Sequence, residues 1–208
     1  GRHWNAGQVC VSSKRLIVVD AIYDKFLEIY KAEVLKFKAG DPMDPATTLA
    51  PLSSQKAADD LKAQVEEAKK HGAVVEVIGA PVPEKGAFFQ PLLMTNLHGD
   101  NEARHWEFFG PVTQLYRVKD EAEAIRVAND SPFGLGGSVF TKDTARGVKV
   151  AEKIHTGMVY VNHPTMVKAD LPFGGVARSG YGRELIGLGI KEFVNHKLID
   201  VVDIDAPF

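Results

Sequence analysis

The stretch GRHWNAGQVCVSSKRLIVVD, residues 1–20, runs from a polar, glycine-containing approach through the single cysteine, Cys10, into an apolar run. KRLIVVD (14–20) is rich in Val and Ile and closes on Asp, the pattern of a core strand. The next segment, AIYDKFLEIYKAEVLKFK (21–38), changes period and puts Ile22, Phe26, Ile29, Tyr30 and Leu35 near one face, as a helix does. The alternation continues. Strand patterns recur at 73–79, 110–118, 136–141, 157–162 and 197–204, with helical patterns at 53–71, 121–129, 143–155 and 180–193. Ser53–Ser54 and His71–Gly72 mark the ends of the second helix. Such alternation predicts an α/β fold with a largely parallel open sheet flanked by helices. The segment 80–100 breaks the rhythm with three prolines and two glycines, leaving one extended piece, FFQPLLM. The last run, 197–204, reads as an apolar strand leaving the domain, a hazard unless a partner pairs with it.

Composition narrows the function classes. The chain has 208 residues, 45% of them hydrophobic and 25% charged, with a formal net charge of −2. That balance provides a core and an ordinary surface, and no basic excess for nucleic acid or an anionic membrane. No apolar run approaches the ~20 residues of a membrane span. One cysteine cannot close an internal disulfide, which fits a reducing cytoplasm. No charged segment leads into an apolar one at the start, so no signal peptide is read there. With no initiator Met, the chain is expected to be a processed product or a piece of something longer.

A lone cysteine is more often a packed apolar residue than a nucleophile. The local sequence adds weight to the second reading without deciding it. A reactive thiolate needs its anion stabilised, often by backbone N–H groups in a tight turn. Gly7 and small Ala6 permit such a turn, and Val9 and Val11 supply an apolar wall. Three further clusters place aromatics beside tight bends: HWEFFGPV (105–112), NDSPFGLGGSVFT (129–141) and DLPFGGVARSGYGRELIG (170–187). Phe133 and Phe173 also suit simple turns that tuck a ring into the core. Neither Gly134–Gly137 nor Gly180–Tyr181–Gly182 makes a full dinucleotide loop after a strand. No HxH, CxxC or HExxH pairing suggests a metal site.

Taken together, NAGQVC, EFFGPV, NDSPFGLGGSVFT and LPFGGVARSGYGRELIG resemble the aldehyde dehydrogenase superfamily in content, order and spacing, over essentially the whole chain. The resemblance implies that residues 1–196 form a catalytic domain and 197–208 a C-terminal oligomerisation arm that makes a dimer or tetramer. It implies that the cofactor-binding domain, the oxyanion-hole amide and the general base precede this chain. It makes Cys10 the nucleophile, attacking an aldehyde to give a thiohemiacetal, then a thioester after hydride transfer to NAD or NADP, then a carboxylic acid. Glu107 aligns with the glutamate that binds the nicotinamide-side ribose, and Phe109 with the aromatic near the nicotinamide. Asn162, His163 and Thr165 align with the loop beside the aldehyde tunnel, which Phe173 supports. The flavour is similar to bacterial succinate-semialdehyde dehydrogenases. Ala177 stands where many relatives carry lysine, and Ser12 where some carry a second cysteine. Arg178 is a candidate for an anionic substrate tail, with a structural role as its alternative. Two other classes stay open: a stand-alone thiol hydrolase using one of His3, His105, His155 or His163, and a non-catalytic assembly domain.

Overall fold

A computed structural model describes residues 1–97, Gly99 and 101–207. Strand β1 (Arg15–Val19) passes directly into α1 (Asp20–Val34). Helix α2 (Gln55–Lys70) follows, capped by the Ser54 hydroxyl, which accepts from the Ala57 N–H at 3.1 Å. It ends at His71 and Gly72, the latter at φ +91°. Then come β2 (Val74–Val77), β3 (Leu92–Thr95) and β4 (Val112–Val118). The sheet order is β1-β4-β3-β2, with β1, β4 and β3 parallel and β2 antiparallel at the edge.

Strand β4 lies between β1 and β3, and every residue in it except Arg117 is buried, as a strand covered on both faces requires. Its side chains alternate. Val112 and Tyr116 join Leu61, Val65 and Ala68 of α2 in one core. Leu115 joins Leu93, Val18 and Val34 in the other, against Tyr23, Phe26, Leu27 and Tyr30 of α1. The sheet is therefore the middle layer between two helices. The inward face of α1 is Tyr23, Phe26, Leu27, Tyr30 and Val34, while Ile22, Ile29 and Leu35 are more than half exposed. The expected face was rotated because the sequence offers two overlapping apolar stripes, and the sheet takes the one with the larger aromatic area.

The second part of the chain is built of smaller ladders. Helix α3 (Glu121–Asn129) and helix α4 (Thr144–Ala151) start on the side-chain caps Asp120 and Asp143. Strands β6 (Gly136–Val139) and β7 (Met158–Val161) pair in parallel. Two short strands, β5 (Phe133–Gly134) and β8 (Val176–Ala177), pair antiparallel.

One expectation fails near the end. The helix expected over 180–193 reduces to α5 (Ile186–Gly189) and a 3-10 turn at Ile190–Phe193. Gly180, Gly182 and Leu185 all have positive φ, which a right-handed helix running through them does not accommodate. The tail, expected as a strand that leaves the domain for a partner, pairs with nothing among the described residues, and Leu198, Ile199, Val201, Val202 and Ile204 are 71–97% exposed. A strand needs a neighbouring edge for its backbone groups. Phe208, the last residue of the expected arm, lies outside the described residues.

Candidate active site

The Cys10 loop begins with a backbone that L-residues rarely adopt. Asn5, Ala6 and Gly7 are consecutively left-handed, at φ 49°, 52° and 78°. Such conformations cost about 1–2 kcal/mol each for residues bearing a Cβ. They persist here because the surroundings hold them. Gly7 passes so close to Gly110 that a Cβ would collide with the Gly110 carbonyl. A turn follows, closed by the Ser12 N–H on the Val9 carbonyl at 3.1 Å. Cys10 is at its exposed crest. Its own N–H makes no hydrogen bond among the described residues.

Three side chains fix this loop, and the motif reading gave none of them this role, although Gln8 lies within NAGQVC. The first is Arg2, which is 3% exposed. Its guanidinium donates to the carbonyls of Val112 (2.8 Å), Phe108 (2.9 Å), Gly7 (3.4 Å) and Gly110, and to the Ser12 hydroxyl (2.6 Å). Every N–H of the fork is thus spent on joining the loop to the 108–112 segment. Burial pushes Arg2 down to about 10, so it stays charged at neutral pH. The second is Gln8, whose side-chain oxygen accepts from the Ser53 N–H at 2.7 Å. The third is Lys14. Its ammonium donates to the carbonyls of Val9 (2.8 Å) and Cys10 (2.9 Å) and pairs with Glu107 Oε1 at 3.0 Å. It also lies 5.7 Å from the centre of the Phe109 ring. Burial lowers the Lys14 pKa, and the Glu107 carboxylate opposes that shift.

Glu107 and Phe109 therefore meet the Cys10 loop through Lys14. The segment carrying them alternates. Phe108 is fully buried in the core, whereas Phe109 is 47% exposed and flanks the thiol loop. Gln64 of α2 donates to the Glu107 carbonyl at 3.0 Å. Glu107 Oε2 makes no hydrogen bond among the described residues. His105 and Arg104 both reach Asp130, at 2.9 and 3.6 Å, tying this segment to the end of α3. The hydrogen bond from His105 holds the Asp130 carboxyl below its ordinary pKa.

The 162–165 loop approaches the same region. A Cβ at Gly1 would lie 2.8 Å from the Ser13 hydroxyl and 3.2 Å from Pro164 Cβ, so Pro164 borders the chain just after Cys10. Asn162, at φ 60°, accepts from the Thr141 N–H at 2.8 Å through its side chain. Thr165 is buried and donates to the Gly137 carbonyl at 3.0 Å. His163 is exposed, with its Nδ1 2.7 Å from the Pro164 carbonyl oxygen. Phe173 is half-buried and exchanges backbone bonds with Glu184. Arg178 stacks over Phe133, 5.7 Å from its centroid, and Ala177 pairs with Phe133 across β8 and β5. No histidine among the described residues hydrogen-bonds Cys10.

Cys10 is thus an exposed thiol beside a left-handed turn, backed by a three-layer α/β core, with an acid and an aromatic alongside. The sequence profile described as the aldehyde dehydrogenase family matches residues 1–199, and the chain belongs to that family. It is 52% identical over 199 residues to a succinate-semialdehyde dehydrogenase [NADP(+)] of Deinococcus radiodurans, covering 96% of this chain and 42% of the relative. The crystal structure of succinic semialdehyde dehydrogenase from Streptococcus pyogenes with NADP+ superposes with a TM-score of 0.91 at 46% identity, over 97% of this chain and 44% of that one. Betaine aldehyde dehydrogenase from Staphylococcus aureus with NAD+ gives 0.85 at 36% identity, over 91% and 38%. The chain thus spans less than half the length of the relatives it matches. Among the described residues no helix is long and apolar enough to cross a membrane.

Proposed function

We propose that the protein carrying this chain oxidises an aldehyde to its carboxylic acid with NAD+ or NADP+, through Cys10, and that succinate semialdehyde is a substrate. The observation that carries the reading is the exposed Cys10 thiol on its braced loop, with an uncommitted backbone N–H and with Glu107 and Phe109 alongside. The names of similar proteins support the substrate and make NADP+ the first cofactor to test.

The Cys10 sulfur adds to the aldehyde carbon as a thiolate. The carbonyl oxygen takes the charge and faces the Cys10 N–H, which is free to donate to it. Bound NAD(P)+ supplies the hydride acceptor. The thioester left on Cys10 is then hydrolysed, so one difficult oxidation becomes two easier steps. Glu107 suits the ribose diol: its free oxygen can accept two hydroxyl donors, and Phe109 offers a flat apolar face beside it. Asn162 and Thr165 shape the substrate-side loop through their backbone partners, His163 faces the entering aldehyde, and Phe173 backs the loop. The exposed apolar tail from Leu198 to Ile204 suits pairing with a second copy, giving a dimer or tetramer. A reducing cytoplasm suits a free nucleophilic thiol.

The test is NAD+ and NADP+ reduction by the full protein with succinate semialdehyde and with a short aliphatic aldehyde. Turnover that disappears in Cys10→Ala supports the reading. Full activity in that variant, or no reduction with either aldehyde and either cofactor, removes it.

A further inference from the structure

Lys14 differs from every other lysine in the described ion pairs. Its side chain is 14% exposed, against 31–81% for the others. An ammonium has three N–H donors, and here three acceptors converge on it: the Val9 carbonyl, the Cys10 carbonyl and Glu107 Oε1. No donor is left for a ligand, so Lys14 is not itself a phosphate or carboxylate contact. The two carbonyls belong to the two peptide units that flank the Cys10 Cα. A peptide unit is planar and trans, so holding the Val9 oxygen on one side points the Cys10 N–H to the opposite side. Holding the Cys10 oxygen fixes the second plane. The same ammonium takes one oxygen of Glu107 and leaves Oε2 uncommitted.

We propose that Lys14 is a positioning residue that sets the direction of the Cys10 N–H and, through the Glu107 carboxylate, fixes the thiol and the cofactor ribose in a single register. The part concerning the ribose rests on the dehydrogenase reading above; the part concerning the loop does not. An exposed pair between long side chains contributes little, because solvent screens it and both partners stay mobile. Here the lysine is mostly buried, the pair spans 93 residues of sequence and each ammonium donor is satisfied, which makes it a three-way joint. Arginine cannot replace it: a planar fork does not converge on three acceptors around one point.

The experiment compares Lys14→Met, Lys14→Arg, Glu107→Gln and the Met/Gln double variant in the full protein. Circular dichroism and gel filtration report folding, and steady-state kinetics and the iodoacetamide alkylation rate of Cys10 report the site. Lys14→Met is expected to raise the cofactor KM about fivefold and to lower kcat about tenfold, the range of coupled neighbours. The double variant is expected to have the cofactor KM of Glu107→Gln alone, since the two changes break one joint. Cofactor KM and kcat both within twofold of the parent in a folded Lys14→Met protein would overturn the proposal, as would additive effects in the double variant. Should Lys14→Met not fold, Lys14→Arg is read by the same criteria, because it keeps the charge and loses only the convergence. Should the parent itself reduce no cofactor, the dehydrogenase reading is what fails. The alkylation rate then decides the loop: a change of threefold or more in the Lys14 variants upholds it, and an unchanged rate ends it.

Discussion

Residues 1–15 and residues 162–207 both present reactive or apolar groups to solvent, but they are held in opposite ways. The first stretch is bolted to the sheet. Arg2 reaches carbonyls more than a hundred residues away, Gly7 touches Gly110, and Lys14 reaches Glu107. The second is held by a two-residue ladder and by bonds to the nearby residues 132–141, with four non-glycine residues at positive φ and no side chain in the main core clusters. The contrast teaches where pre-organisation is concentrated. Cys10 sits on the overdetermined side, where strain at Asn5 and Ala6 can be sustained. The 162–207 side is left adaptable, as regions of low local stability are.

The sharpest way to break this comparison is Cys10→Ala. Aldehyde oxidation is expected to fall roughly a thousandfold or more, as on removing a covalent nucleophile. Because the thiol is exposed, urea-unfolding midpoints are expected to stay put. A large stability loss would make Cys10 a packing residue instead. Next in size is Arg2→Met, which leaves four carbonyls and a hydroxyl without their donor. The expected cost is about 3 kcal/mol or more by equilibrium denaturation. A loss under about 1 kcal/mol would mean that the bolting is dispensable.

Gly7→Ala tests the close approach directly. It adds a Cβ at φ +78° against the Gly110 carbonyl, for an expected destabilisation of about 2–3 kcal/mol. Cys10 alkylation should change with it; if the loop absorbs the methyl group at no cost, it is looser than the distances say. Acid tests the same side through His3. This imidazole is 5% exposed against Tyr30 and Phe37, and burial, then the Arg2 charge, lower its pKa to about 4. Between about pH 6.5 and that value the unfolded chain binds a proton that the folded chain refuses. The contribution is therefore complete above about pH 6.5 and is lost as the pH falls. Taking the parent from about pH 7.5 to about pH 5 is expected to remove about 2 kcal/mol, and His3→Phe should flatten that dependence. Equal slopes in both proteins would show that His3 is not the group responsible.

The smallest effect belongs to the tail. Val201→Ser together with Ile204→Ser should alter the stability of one chain by no more than about 0.5 kcal/mol, since both side chains are exposed. The same change should lower the oligomeric mass seen by light scattering if the tail pairs with a second copy. An unchanged mass would leave that pairing without its surface.

Much of this was legible in the residues themselves. KRLIVVD and GPVTQLYRV became β1 and β4, because dense Val and Ile bounded by turn residues has few other uses. Ser54 capped the helix it precedes, since a cap bonds only to N–H groups two or three residues on. Cys10, Glu107 and Phe109 stood out by motif, and folding brings their segments together. The roles of Arg2, Gln8 and Lys14 were not legible. Arg2 and Lys14 donate to backbone carbonyls, one hydroxyl and one distant carboxylate, Gln8 accepts from the distant Ser53 N–H, and among 25 basic residues nothing local marks these two. The face of α1 and the ending of 180–193 were misread for a related reason. Periodicity states what a segment can bury, and only its neighbours choose among the options.

By itself, the sequence determined the alternation of strands and helices, the capped boundaries and the cysteine loop with its family motifs. All of these depend on interactions within a few residues. The tertiary structure alone decided which stripe of α1 turns inward and how Arg2 and Lys14 fasten Cys10 to residues 107–112. Those outcomes rest on contacts between distant segments, roughly a hundred residues apart for Arg2 and Lys14, and no local pattern encodes them.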